Sequence, residues 1–266
     1  MERLRSDDAE IVYEIQGDGP PVILLHPFPC DHQFWNPIAP VLNSRYRLIA
    51  PDLRGHGDSD IGEGPALMEK HARDIARVLD AASVGKAMFV VCSIGGYISF
   101  ECWRRFRERV SALVLCNTRP QSDTPEARSN RVKAAADVLE QGTEPFLESM
   151  IPTLMGRTTV ATRPDLVEGA RRMMRKMSPE DISLIQRGMA ERPNSVADLK
   201  TINVPTLIVM GEEDMLSTAA DGELMRQSIP GSHLKVIPKA GHYAPWEQAD
   251  LVGKILRQFL DDAALT

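Results

Sequence analysis

Phe89-Val90-Val91-Cys92-Ser93-Ile94-Gly95-Gly96-Tyr97 sets a serine where an apolar strand, Ala87 to Val91, gives way to a helical stretch, Ile94 to Phe106. Such a sharp strand-to-helix turn would hold the Ser93 hydroxyl in the open above a sheet, with the positive helix end favouring negative charge that develops nearby. Gly95 is needed there because a side chain would clash across the tight turn. The motif for this arrangement is G-x-S-x-G, and the chain departs from it by carrying Val91 at the first glycine position. That bulk is expected to widen or shift the turn and to strain it locally. Taken alone, the pattern also fits a helix N-cap serine followed by glycines.

Outward from this turn the chain alternates. Upstream lie a short strand around Ile11 to Tyr13, the apolar run Pro21 to Leu25, a helix carried by Phe34, Ile38, Val41 and Leu42, a strand Tyr46 to Ala50, and a helix from about Leu67 to Ala82. Downstream come a strand Ser111 to Cys116 and, after a gap, strands Val204 to Met210 and Leu234 to Ile237, then a C-terminal helix from about Trp246 to Leu260. Strands alternating with helices predict an α/β fold with a parallel sheet. The gap, Thr118 to Leu199, holds helical patterns (Ala127 to Leu139, Leu166 to Met177, Pro179 to Met189) and no strand. It reads as a helical cap inserted over the carboxyl edge of the sheet, where such sheets place their ligands. The expected division is a core of residues 1–117 and 200–266 and a cap of residues 118–199.

Composition narrows the class. The 266 residues are 43% hydrophobic and 26% charged, with a net charge of -6 and no long cluster of Lys and Arg, so nucleic acid is not an expected partner. Met1 to Gly17 lacks the apolar core of a signal peptide, and no stretch approaches the roughly 20 apolar residues of a membrane span; the expected location is cytoplasmic. Cys30, Cys92, Cys102 and Cys116 form no C-x-x-C pair and read as small core residues, so neither a zinc site nor a disulfide scaffold is indicated. No heptad pattern or apolar stripe sets an oligomeric state.

The partners a serine nucleophile needs occur in suitable places. Ile237-Pro238-Lys239-Ala240-Gly241-His242-Tyr243 puts His242 in the loop after the last strand, as a base that would take and return the Ser93 proton. Val209-Met210-Gly211-Glu212-Glu213-Asp214 supplies a carboxylate after the penultimate strand. Asp214 is favoured over Glu212 and Glu213 by its G-x-x-D spacing, and would orient His242. After the first long apolar strand, His26-Pro27-Phe28-Pro29 offers the backbone N–H of Phe28, between two prolines that cannot donate, as partner to that of Ile94 in an oxyanion hole. His26 and His56 are read as structural, each holding its loop in shape.

In this order, H-P-F-P, P-D-L-R-G-H-G-D-S, C-S-I-G-G, G-E-E-D and A-G-H-Y resemble the α/β-hydrolase superfamily over essentially the whole chain. The segment Tyr97 to Asn130 looks like the branch containing 3-oxoadipate enol-lactonases, aryl esterases and cofactor-free haloperoxidases. The resemblance implies a mostly parallel eight-stranded sheet flanked by helices, a helical cap, a catalytic triad of Ser93, Asp214 and His242, an acyl-enzyme intermediate, and no metal or organic cofactor. A serine at the elbow argues against the epoxide hydrolase and haloalkane dehalogenase branches, which carry aspartate there. Expected is therefore a carboxylic ester hydrolase, an esterase or lactonase, acting on a small-molecule ester or lactone. Phe28, Trp35, Ile94, Met150, Leu154, Met155, Leu216 and Tyr243 are read as the apolar lining of the substrate site. Arg119 is read as a salt bridge at the sheet edge in preference to a partner for a substrate carboxylate. Two other functions stand beside this one: a carbon-carbon bond hydrolase with the same triad, and a triad-bearing ligand sensor with slow turnover.

Overall fold

The computed structural model describes residues 1–265. Eight strands form one sheet, in the order β1-β2-β4-β3-β5-β6-β7-β8: β1 (Glu2–Ser6), β2 (Ala9–Gln16), β3 (Pro21–Leu25), β4 (Arg47–Pro51), β5 (Ala87–Cys92), β6 (Val110–Cys116), β7 (Thr206–Gly211) and β8 (His233–Ile237). From β4 to β8 the pairing is parallel, and only β1 and β2 run antiparallel to their neighbours. Buried on both faces, the middle strands are mainly apolar: every residue of β5 and β7 is buried. The edge strand β8 differs, with His233, Lys235 and Val236 exposed.

Helices lie between the strands. They are α1 (Ala39–Leu42), α2 (Met68–Ala81), α3 (Ile94–Phe106), α4 (Pro125–Gln141), α5 (Thr143–Leu154), α6 (Arg157–Thr162), α7 (Pro164–Met174), α8 (Pro179–Ala190), α9 (Ala219–Ser228), α10 (Ala244–Glu247) and α11 (Ala249–Ala263). On α2, Met68, His71, Ala72, Ile75, Val78 and Leu79 are buried at three- and four-residue spacing, the stripe that turns toward the sheet. Five helices, α4 to α8, fill the interval between β6 and β7, where no strand was expected and none occurs among the described residues.

Three readings need correction. The helix predicted from Phe34 to Leu42 is a 3-10 turn, His32–Trp35, followed by the single turn α1. Pro37 interrupts it, because it lacks the N–H that a continuing helix would donate. Its apolar spacing instead records burial, since Phe34, Ile38 and Leu42 are fully enclosed. The C-terminal helix is broken at Gln248 (φ -125°, ψ 47°) into α10 and α11. Finally β1, α5, α6 and α9 were not anticipated; β1 is five residues long and largely exposed, so no alternation marks it.

Candidate active site

Ser93 follows β5 directly and is the residue before α3, with φ 54° and ψ -113°. A non-glycine residue there carries about 1–3 kcal/mol of backbone strain, which persists only because the surroundings hold it. They do so from both sides: the Ser93 N–H donates to Cys116 O at 3.0 Å, and the Thr118 hydroxyl donates to Ser93 O at 2.8 Å. A Cβ on Gly95 would stand 2.8 Å from Leu25 O and 2.9 Å from Leu25 Cβ, so α3 can cross β3 this closely only with glycine there. Val91 is fully buried inside β5, in register with Leu25 on one side and Leu115 on the other.

His242 Nε2 lies 2.7 Å from Ser93 Oγ, and His242 Nδ1 lies 2.9 Å from Asp214 Oδ2. An ionised carboxylate only accepts, so Nδ1 carries the proton and Nε2 is free to accept from the serine hydroxyl. Asp214 also accepts from Asn117 Nδ2 (2.9 Å) at Oδ2 and from the Leu216 and Ser217 N–H groups (2.8 and 3.1 Å) at Oδ1. Burial pushes its carboxyl up, but His242, Asn117 and the Ser217 N–H outweigh it and hold it below the usual carboxylate range. The rivals point elsewhere: Glu213 accepts from Thr158 N–H and hydroxyl on α6, and Glu212 accepts from Lys239 N–H. Asn117, which sequence reading did not single out, sits at the end of β6 with φ 46° and also donates to Gly241 O at 3.1 Å. Its signal was only its place, one residue past a strand, between the strands that deliver the serine and the acid.

The loop carrying His242 is held by one buried carboxylate. Glu247 accepts from the N–H groups of Gly241 (2.9 Å) and Tyr243 (3.2 Å), which flank the histidine, and from Gly156 N–H (2.9 Å) at the start of α6. Tyr243 N–H donates in addition to Leu154 O at the end of α5 (3.1 Å). Here backbones approach so closely that a Cβ on Gly156 would stand 2.8 Å from Gly241 N.

On the opposite side, the Cys30 N–H closes the His26–Cys30 loop by donating to Pro27 O, and the N–H groups of Phe28 and Ile94 have no protein acceptor among the described residues. They are free to donate to a ligand oxygen. Tyr243 OH supports this loop by donating to Phe28 O (3.2 Å). His26 accepts from Leu53 N–H at Nε2 (2.9 Å) and donates from Nδ1 to Pro27 O (3.0 Å), tying the loop to the turn after β4. Burial lowers its pKa to about 4, so it stays neutral and keeps both bonds. His56 donates from Nδ1 to Arg54 O and packs edge-on against Phe28.

Between these groups lies a cavity of about 70 Å³, lined by Phe28, Ser93, Tyr97, Arg119, Arg131, Met150, Leu154, Met189, Leu216 and His242. Phe28, Met150, Leu154 and Leu216 were expected there; Tyr97, Arg131 and Met189 were not. Trp35, Ile94, Met155 and Tyr243 do not line it. The Trp35 ring packs edge-on against Phe34 and faces a crevice near Glu14 and His32, the Ile94 side chain is fully buried, and Met155 borders a separate opening beside Arg157 and Glu213. Tyr243 is enclosed against Phe34. Arg119 pairs with Asp123 at 3.3 Å and at the same time borders the cavity, so it is not confined to the sheet edge. All four cysteines are buried and unpaired. Among the described residues no helix is long and apolar enough to cross a membrane.

Known proteins resemble the chain over its full length. A thermophilic esterase from Thermogutta terrifontis, solved with malate bound, is 36% identical, with a TM-score of 0.95 and 99% of each chain covered. A curated relative, 3-oxoadipate enol-lactonase 2 of Acinetobacter baylyi, is 26% identical over 236 residues, 88% of this chain and 85% of that protein. The enol-lactonase of Burkholderia xenovorans LB400, 23% identical with a TM-score of 0.91 over 98% of this chain and 100% of that one, shares the fold. The family model described as alpha/beta hydrolase fold matches residues 20–249, and the chain belongs to that family.

Proposed function

We propose that the protein is a serine-dependent carboxylic ester hydrolase that cleaves a small ester or lactone through an acyl-enzyme on Ser93. The observation that carries this reading is the unbroken line from Ser93 Oγ to His242 Nε2 (2.7 Å) and from His242 Nδ1 to Asp214 Oδ2 (2.9 Å), at a serine held in a strained turn. As Ser93 Oγ attacks the carbonyl carbon, its proton passes to His242 Nε2, and Asp214 stabilises the resulting imidazolium. The carbonyl oxygen, now negative, is received by the N–H groups of Phe28 and Ile94. Each such donor contributes about 3–4 kcal/mol to the transition state. His242 returns the proton to the departing alcohol oxygen, then takes one from water as it attacks the acyl-serine; collapse releases the acid and restores Ser93. The esterase and enol-lactonase named above support the substrate class, as does the small, partly apolar cavity. In this reading residues 118–199 act as a cap that supplies Met150, Leu154 and Met189 to the cavity wall, over a core of residues 1–117 and 200–266.

The test uses p-nitrophenyl esters and small lactones with the wild type and Ser93→Ala, together with labelling by a fluorophosphonate. Turnover is expected to fall by about 10⁴-fold or more in Ser93→Ala, and labelling to vanish. Labelling that persists in Ser93→Ala, or a folded wild type that is neither labelled nor active, overturns the mechanism.

A further inference from the structure

Asp123, whose side chain is almost wholly buried, is surrounded by three guanidinium groups. Its Oδ1 lies 3.3 Å from Arg119 Nη2 and 2.7 Å from Arg192 Nη1, and its Oδ2 lies 2.6 Å from Arg131 Nε. Burial raises the Asp123 carboxyl, but Arg131 and Arg192 overcome that and hold it below the ordinary range, so it is a full negative charge. Arginine stays protonated at any working pH, and three positive charges against one negative leave two uncompensated. Among the described residues, Asp123 is the only carboxylate paired with any of the three.

This excess sits at the cavity. Arg119 and Arg131 line it together with Ser93 and His242. Arg192, enclosed behind them, lies over the Tyr97 ring at 4.4 Å, and Tyr97 is itself a lining residue. The hydrogen-bonding capacity is also unspent: Arg119 Nε and Arg192 Nη2 are buried and have no protein partner, whereas Arg131 Nη1 donates to Gln186 Oε1 at 3.0 Å. A partly enclosed guanidinium with a weak 3.3 Å ion pair and a spare N–H is costly to maintain for stability alone. A purely apolar ester would leave it so, and a carboxylate would fill it with charge-assisted bonds in the fork geometry that arginine favours.

We infer that the cavity beside Ser93 receives the free carboxylate of a short ester or lactone bearing a second acid group, with Arg119 and Arg131 as the receiving cations and Arg192 as the support behind them. The inference deepens the serine-hydrolase reading and rests on it for the ester bond, while the anion site itself stands on the arginines. The carboxylate is bound and not transformed, so the reaction remains hydrolysis at the ester carbonyl.

Monomethyl succinate and methyl butanoate differ by a carboxylate in place of a methyl group, and acid release at constant pH measures kcat/KM for each. The wild type is expected to favour monomethyl succinate by about 10-fold or more, and Arg119→Gln to lower that preference by about 10- to 100-fold. Arg131 and Arg192 still hold Asp123 in this variant, and Arg119→Lys, which keeps the charge but loses the fork, should retain part of the preference. In parallel, calorimetric titration of Ser93→Ala with succinate reads the anion site without chemistry, and binding should weaken when Arg119→Gln is added. Hydrolysis of both esters with a preference that Arg119→Gln does not alter overturns the inference and leaves the serine mechanism standing. Arg119-dependent succinate binding with no hydrolysis of either ester supports the anion site and counts against the serine mechanism. Absence of succinate binding overturns the inference.

Discussion

The wall of the cavity that carries Ser93 and His242 is built from the carboxyl ends of β5 and β8, and its polar atoms are joined in one chain of hydrogen bonds through Asp214 to Asn117 and the N–H groups of Leu216 and Ser217. The facing wall comes from the end of β6, α3, and the helices between β6 and β7, where three arginines converge on Asp123 and two guanidinium nitrogens have no protein partner. In the first wall every polar atom from Ser93 Oγ to the Asp214 carboxylate has a partner, whereas in the second Arg119 Nε and Arg192 Nη2 have none. Under the proposed function, this difference would separate bond cleavage, prepared by the sheet, from substrate choice, prepared by the intervening helices.

That separation can be broken or sharpened in graded steps. Asp214→Asn is the most severe: the carboxylate takes four donors, and an amide whose oxygen keeps the Leu216 and Ser217 N–H groups turns its NH₂ toward His242 Nδ1, which then accepts and leaves the proton on Nε2, where it cannot receive the Ser93 proton. kcat/KM should fall by about 10³- to 10⁴-fold. The fall should be equal for monomethyl succinate and methyl butanoate, and an unequal fall would mean that the two walls are not independent. Met150→Ala removes part of the cavity wall and leaves the Ser93 line intact. Across p-nitrophenyl acetate, butanoate and hexanoate, it should shift the ranking toward the longer acyl group by about 10-fold, at roughly 1–3 kcal/mol for each methylene accommodated.

The smallest effect asks whether an orphaned polar atom signals a ligand wherever it occurs. His71, fully buried on α2, has no partner for either ring nitrogen, and burial, aided by His56, Arg54 and His26, drops its pKa well below 6.5. It borders no described cavity and so should be a simple cost. His71→Leu is expected to raise unfolding stability by about 1–2 kcal/mol at pH 7 in urea titrations. Burial holds His26 near 4 and His56 near 3, and the three rings remain neutral in the fold while the unfolded chain binds protons below about 6.5. The contribution of these three rings to stability should therefore be complete above that pH and be lost as it falls, and His71→Leu should make that loss smaller.

The sequence showed the chemistry more clearly than the cavity for a physical reason. A serine at a strand-to-helix turn imposes local demands, visible as Ser93 followed by Gly95 after six apolar or small residues, and the acid and base must follow strands that lie farther along the same sheet edge. Asp214 and His242 are therefore positional as well as chemical. The lining is set by how helices from distant segments pack, so Tyr97, Arg131 and Met189 carry no local mark, while Trp35, Met155 and Tyr243 have the right chemistry and face elsewhere. The helix predicted across Pro37 failed in a similar way: burial reproduced helical spacing in a segment whose backbone cannot be a continuous helix.

Glu247 bears on any attempt to graft a different helical segment onto this sheet. Because one buried carboxylate takes the N–H groups of Gly156 and of both neighbours of His242, residues 118–199 cannot be exchanged as an inert attachment. A transplanted segment must present a carbonyl where Leu154 does and a bare glycine N–H where Gly156 does, or the graft will disturb the histidine even though it replaces none of the reacting groups.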